Sequence, residues 1–331
     1  MQTSITPATI LKKMIPWILT GFLILLALTL WGDVHQIREL ATDFNWGFLP
    51  VLMGFTLINY ILRFVKWHFY LGQIGVKNFP AIQSLRLFVA GFPLAMTPGK
   101  AGEILKAVWL KDLTGTSISR GVSVVVAERI SDGLAVLFLS IFGIIAYPQY
   151  SLAFFLVLFL LIGLIVASQI KPLAYFCLNL TKKIPFIKRF SPQLFNFYEG
   201  SFLVFQPRAT LYAVGLGTVS WFFEGVGFYL LLTKIGLPAN LNTFANAVFI
   251  LAFSTVIAAA STLPGGIGAA EASIAGMLAL LLGLNSGMAS FVTLIIRLAT
   301  LWFGISLGLI SWAFSLKMLG FKEKKYAEVE S

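Results

Sequence analysis

Apolar residues run through this chain in blocks rather than in the alternation of a half-buried strand or the stripe of a surface helix. Residues 14–31, 46–65, 121–147, 152–170, 210–233 and 288–316 each come near or pass the roughly 20 residues that a helix needs to cross hydrocarbon. Two more apolar blocks are interrupted. Residues 81–110 break at Pro98-Gly99, and residues 242–284 break at Pro264-Gly265-Gly266. The pattern predicts an all-α polytopic membrane protein with six to eight transmembrane helices, two of the blocks being broken or re-entrant hairpins.

The two breaks are related. The first reads TPGKAGE over residues 97–103 and the second LPGGIGAAE over residues 263–271. Glu103 and Arg129 recur as Glu271 and Arg297, 168 residues on in both cases, and Gly115 recurs as Gly283 at the same shift. Charge then fixes how the copies lie. Lys100, Lys106, Lys111 and Arg120 follow the first break, whereas no Lys or Arg occurs from Ile235 to Ile296. Basic loops stay cytoplasmic, so the first hairpin is expected to open inward and the second outward. That is an inverted repeat, with halves at about 46–147 and 209–316 within one integral membrane domain. A basic cytoplasmic segment, 171–208, joins them, and 317–331 forms a cytoplasmic tail. Both termini are expected inside, in a multi-pass protein of the cell (inner) membrane. Segment 171–208 mixes Lys and Arg with Phe and Leu. It reads either as an amphipathic element on the inner leaflet or as a solvated linker.

Composition sharpens the class. Hydrophobic residues make up 58% of the 331, charged residues 11%, and mean hydropathy is +0.90. Soluble domains carry about 25% charged residues, so a water-soluble fold is excluded. The net charge of +11 forms no basic face on a soluble domain and does not point to nucleic acid. Anionic lipid is the expected counter-charge. Cys177 is alone, and His35 and His68 are far apart, so no metal or cofactor is expected. Block 14–31 follows Lys12 and Lys13 as a signal peptide would. It is too long and lacks a small-residue cleavage site, so it is expected to remain as a helix.

The chemistry sits at the breaks. A Pro-Gly interruption at membrane depth frees backbone groups, which is tolerated only against protein or a watery cavity. Each break precedes a fresh helix start, whose free N–H groups favour an anion. Arg129 and Arg297 lie inside spans, where a lone arginine pairs or faces a cavity. Arg129 has Asp132 three residues on, and Glu128 shares a face with Asp132. Arg297 has no acid within a turn, which leaves Glu271 as its expected partner. By symmetry Glu103 is expected to meet Arg129. Such pairs either line a substrate cavity or simply pin each hairpin to its span. Glu224 and Asn59 either line the same cavity or bond across helices, and Gly304 with Gly308 forms a close-packing GxxxG.

At PGKAGEILK, GVSVVVAERISDG and LPGGIGAAE the chain resembles the flippase-like transmembrane region of lysylphosphatidylglycerol synthases, also called multiple peptide resistance factor proteins. The resemblance covers roughly residues 13–316. The matching positions are Pro98, Gly99, Gly102 and Glu103, then Glu128, Arg129 and Asp132, then Pro264, Gly265, Gly266, Gly268 and Glu271. With Arg297, these are the expected substrate-binding residues, and no catalytic residue is expected. The resemblance implies translocation of a lipid between leaflets, with an anionic phospholipid or glycolipid as partner. Full synthases carry a soluble aminoacyl-transferase domain, and only residues 320–331 follow the spans here, so lipid aminoacylation is not expected of this chain. Two other readings stay open. One is a membrane-embedded enzyme on a lipid-linked substrate with Glu103 or Glu128 as general base. The other is a scaffold for a separately encoded lipid-modifying enzyme. Self-association into a homo-oligomer is open as well.

Overall fold

Pro50 in the first turn fixes the entry of a helix that then runs without Gly or Pro punctuation strong enough to stop it until Gly75. The computed structural model of the chain describes residues 15, 16, 19–21, 23, 33–146 and 148–315, and among these it is almost entirely helical, with no strand. Most of the first apolar block, with Trp17 and Trp31, lies outside the described residues. The described α-helices of ten or more residues are α1 (Val34–Asp43), α2 (Leu49–Gln73), α3 (Ala81–Ala90), α4 (Leu105–Thr114), α5 (Ile118–Ala146), α6 (Ser151–Gln169), α7 (Lys171–Lys183), α8 (Ser191–Val204), α9 (Pro207–Lys234), α10 (Leu241–Ala260), α11 (Ala269–Leu282), α12 (Ser286–Arg297) and α13 (Phe303–Phe314). Five described stretches are long and apolar enough to cross a bilayer. They are Trp46–Gln73, Pro207–Lys234, Leu241–Ala260, Pro264–Leu282 and Ser286–Phe314. The chain is an all-α polytopic membrane protein.

The polar segment after the first block, Val34–Asp43, is helical. Asp33 caps α1 by accepting the His35 N–H at 3.0 Å, and Ile37 on its inner face is buried. The two hairpins also differ more than the repeat suggests. Arms α3 and α4 have 10 residues each, a rise of about 15 Å, whereas α10 has 20 and rises about 30 Å. The first hairpin is therefore short, whereas both stretches of the second, Leu241–Ala260 and Pro264–Leu282, are long enough to cross a bilayer.

Two large apolar cores form, one around each hairpin, with a small third cluster of Val136, Leu139, Val248 and Ala252. Leu87, Phe88, Leu94, Met96, Trp109 and Leu110 gather the first with Trp67 and Val124. Phe249, Ile250, Ile274, Leu278, Phe291 and Ile295 gather the second. Helix α9 runs along α2 and joins the halves, with α5 packed against both α9 and α10. Small residues let these backbones approach. A Cβ on Gly225 of α9 would stand 2.9 Å from Val248 of α10.

The basic segment is helical too. The chain bends by 85° between α6 and α7. Beyond the bend, Phe176 and Phe186 stand largely exposed beside Lys182, Lys183 and Lys188. Apolar rings and lysines sharing a short helical segment that turns off a spanning helix suit a membrane surface better than water.

Candidate functional site

Thr97 ends the first arm in extended backbone, and the chain then turns through two left-handed residues, Gly99 (φ 58°, ψ 17°) and Lys100 (φ 56°, ψ 23°). The second of these is unusual for a residue with a side chain. Thr97 stabilises the turn, since its hydroxyl donates to the Leu94 carbonyl and accepts the Gly102 N–H, both at 2.7 Å. A Cβ on Gly102 would lie 2.7 Å from the Thr97 methyl, so that position must stay bare. In the second hairpin Gly268 (φ 88°) starts α11, and its N–H donates to the Glu271 carboxylate at 2.6 Å. Glu271 thus serves as the anion of its own helix start. Glu103 does not, because α4 begins two residues later. The hairpin tips touch, with the Gly99 N–H donating to the Thr262 carbonyl at 2.7 Å.

Both symmetric pairs form. Arg297 Nε lies 2.6 Å from Glu271 Oε1, and its Nη2 donates to the Gly265 carbonyl at 3.2 Å. Arg129 Nε lies 3.4 Å from Glu103 Oε2. Asp132, available to Arg129 within α5, instead reaches across to α2. There it binds Lys66 and stands 3.5 Å from Arg63. Glu128 is held by Lys106 at 2.7 Å, and Lys106 also lies 3.9 Å from Glu103 and over the Trp67 ring. Asn59 bonds across helices, donating to the Ser220 carbonyl at 3.1 Å.

These side chains surround a cavity of about 180 Å³ between the hairpins, space for on the order of ten waters. Five cations line it: Arg63, Lys100, Lys106, Arg129 and Arg297. Two acids line it, Glu103 and Glu224. Of the expected site residues, Glu103, Arg129, Gly265, Gly266 and Arg297 reach the cavity wall. Asp132, Glu128 and Glu271 stand behind it as partners of Arg63, Lys106 and Arg297. Gly99, Gly102, Pro264 and Gly268 shape the turns rather than the wall, as does the backbone of Pro98.

Two wall residues remain without an ion pair among the described residues. Lys100 has no acid within 4 Å and points its charge into the cavity. Glu224 is buried, 8% exposed, and has no cation within 4 Å. Between Arg297 and α13 the helix widens into a π turn, Leu298–Trp302, whose Thr300 carbonyl accepts the Tyr60 hydroxyl at 2.9 Å. Such turns concentrate at functional sites.

Residues 18–308 match the family described as Lysylphosphatidylglycerol synthase TM region. The chain belongs to that family. Within the Lysylphosphatidylglycerol synthase TM region the described hairpins, ion pairs and cavity all fall inside the matched span. A UPF0104 membrane protein of Methanothermobacter thermautotrophicus is 24% identical over 311 residues, covering 88% of this chain and 90% of that protein. No solved structure matches the chain.

Sequence reasoning missed Arg63 and Lys66 and used Lys106 only as a charge that sets orientation. Lys66 is in fact fully buried. The signal was there in the spacing: Asn59, Arg63, Lys66 and Tyr70 recur at three- and four-residue steps, one face of α2. A polar stripe on a helix of this hydropathy faces protein or a cavity rather than lipid.

Proposed function

We propose that the protein translocates a phospholipid or lipid-linked headgroup between leaflets, the phosphate passing through the cavity between the hairpins. The observation that carries this reading is Lys100, a cation facing a polar cavity at membrane depth with no acid within 4 Å among the described residues. Charge left over at such a place is costly unless a ligand supplies the counter-charge. The anion that fits is a phosphate, which Arg63 and Arg297 can grip through paired N–H donors while Lys100 adds a point charge. Glu103 and Glu271 hold their arginines between turnovers, and the phosphate competes for them as it enters.

Lipid tails stay in the bilayer along the apolar wall, where Leu301 and Ile305 face the cavity. The two hairpins, oppositely oriented and in contact at Gly99 and Thr262, rock against each other in a cell membrane with both termini inside, making and breaking that contact. The enzyme reading is weakened by the same geometry. Glu103 and Glu128, its candidate bases, are each held by cations rather than presented free.

The test is movement of fluorescent phospholipids of several headgroups in vesicles holding the purified protein. Protein-containing vesicles are expected to move at least one anionic lipid faster than empty vesicles, and Arg63→Gln/Lys100→Gln protein is expected to lose that gain while melting normally. Equal rates with and without protein, for every headgroup, would overturn the reading.

A further inference from the structure

The pairing of charges around the cavity leaves one acid over. Glu224 lies midway along α9 at 8% exposure, lines the cavity, and has no ion pair among the described residues. Tyr60 and Arg63 face it from α2, Arg297 from α12, and Asp132 from further off on α5. Helix α10, also packed on α9, carries no titratable side chain. Asp132 is occupied by Lys66 and Arg63, and Tyr60 spends its proton on the Thr300 carbonyl. A carboxylate in this position is therefore stabilised only at a distance, by the two arginines that the proposed phosphate would bind.

We infer that Glu224 is a proton-binding site linked to the lipid, so that a proton travels with each phosphate through the cavity. The inference rests on the translocation reading and gives it an ion. Before a phosphate enters, Arg63 and Arg297 are the cations that face Glu224. A phosphate between those arginines cancels their field and sets an anion before the carboxylate. The carboxylate then takes a proton from cavity water, and the headgroup crosses as a less charged assembly. When the phosphate leaves, the arginines are bare again and the proton returns to water. Binding of lipid and of proton thus favour one another, and the coupling is reciprocal.

A metal cation does not fit the place. Two arginines repel it, and no cluster of three His, Cys, Asp or Glu able to hold a metal exists among the described residues. A proton needs one oxygen, and Glu224 supplies it.

The test uses the purified full chain and short-chain phosphatidylglycerol. Calorimetric titrations at one pH, in two buffers of different ionisation enthalpy, count the protons exchanged on binding. Wild type is expected to take up close to one proton per lipid, with affinity falling up to about tenfold per unit rise in pH. The Glu224→Gln variant is expected to exchange none, and whatever affinity it keeps is expected to be flat with pH. A second measurement covers a variant too weak to titrate. The infrared carboxylic-acid band that lipid induces in wild type is expected to shift in Glu224→Asp. Lipid binding with no proton uptake, or a band unmoved by Glu224→Asp, overturns the inference and leaves translocation standing. Folded wild type that binds no phosphatidylglycerol and moves no lipid in vesicles overturns both.

Discussion

Lys100 combines two costs: left-handed backbone without being glycine, and a cation with no acid within 4 Å among the described residues. The backbone cost is of order 1 kcal/mol or more. Lys100→Gly is therefore expected to raise the melting temperature while weakening binding of an anionic lipid about tenfold or more, the worth of a charge-assisted hydrogen bond. Unchanged affinity in lipid titration would show that the charge serves something else. The two acids at the repeat positions are predicted to differ. Glu271 is nearly fully buried against Arg297, whose side chain is 12% exposed, and it also caps α11. Removing its charge strands the arginine, so Glu271→Gln should destabilise by about 3 kcal/mol in thermal or denaturant melts. Arg129 is 31% exposed to the cavity, and Lys106 keeps Glu128 when Glu103 is neutralised. Glu103→Gln should therefore cost clearly less. The symmetric pairs were legible in the sequence because each appears twice at one spacing. Asp132 was misdirected because a helical neighbour three residues away is easy to see, whereas Lys66 on another helix is 66 positions off.

Among the elements, the last helix and the first hairpin meet through bare backbone. A Cβ on Gly304 would lie 2.4 Å from the Tyr60 hydroxyl, and one on Gly308 would lie 2.2 Å from Pro93 of the hairpin. Gly308→Ala must push α13 off the hairpin, which costs about 1–3 kcal/mol as overpacking. Gly276→Ala in α11 meets nothing within 4 Å and should be neutral or slightly stabilising. Comparing the two melts separates close packing from helix propensity. Long uniform apolar runs made α2, α9 and α10 readable, since length and hydropathy alone define a span. Helix α1 was not readable, because its ten polar-rich residues hold their shape through the Asp33 cap and contact with α12, which no local pattern announces. The unequal hairpin arms escaped for a related reason. Repeat symmetry constrains the breaks and charges, not how far each arm must reach.

Over the whole molecule the hairpins close on each other at a backbone hydrogen bond, Gly99 to Thr262. A disulfide between Gly99→Cys and Thr262→Cys is expected to halt lipid movement in vesicles while sparing lipid binding, with reductant restoring movement. Movement that continues in the oxidised protein would place the moving parts elsewhere. The π turn at Leu298–Trp302 bears on the same closure. In an unbroken α-helix, positions 297, 304 and 308 stack on one side, because steps of seven and eleven residues nearly complete whole turns. Arg297 nevertheless answers to Glu271 of the second hairpin, while Gly304 and Gly308 press on Tyr60 and Pro93 at the first. The surplus residue of the π turn introduces a phase difference on the order of 100° between the two ends of this one rod. Deleting a single residue there would bring the ends back into step, and the helix could then mesh with one hairpin or the other but not with both.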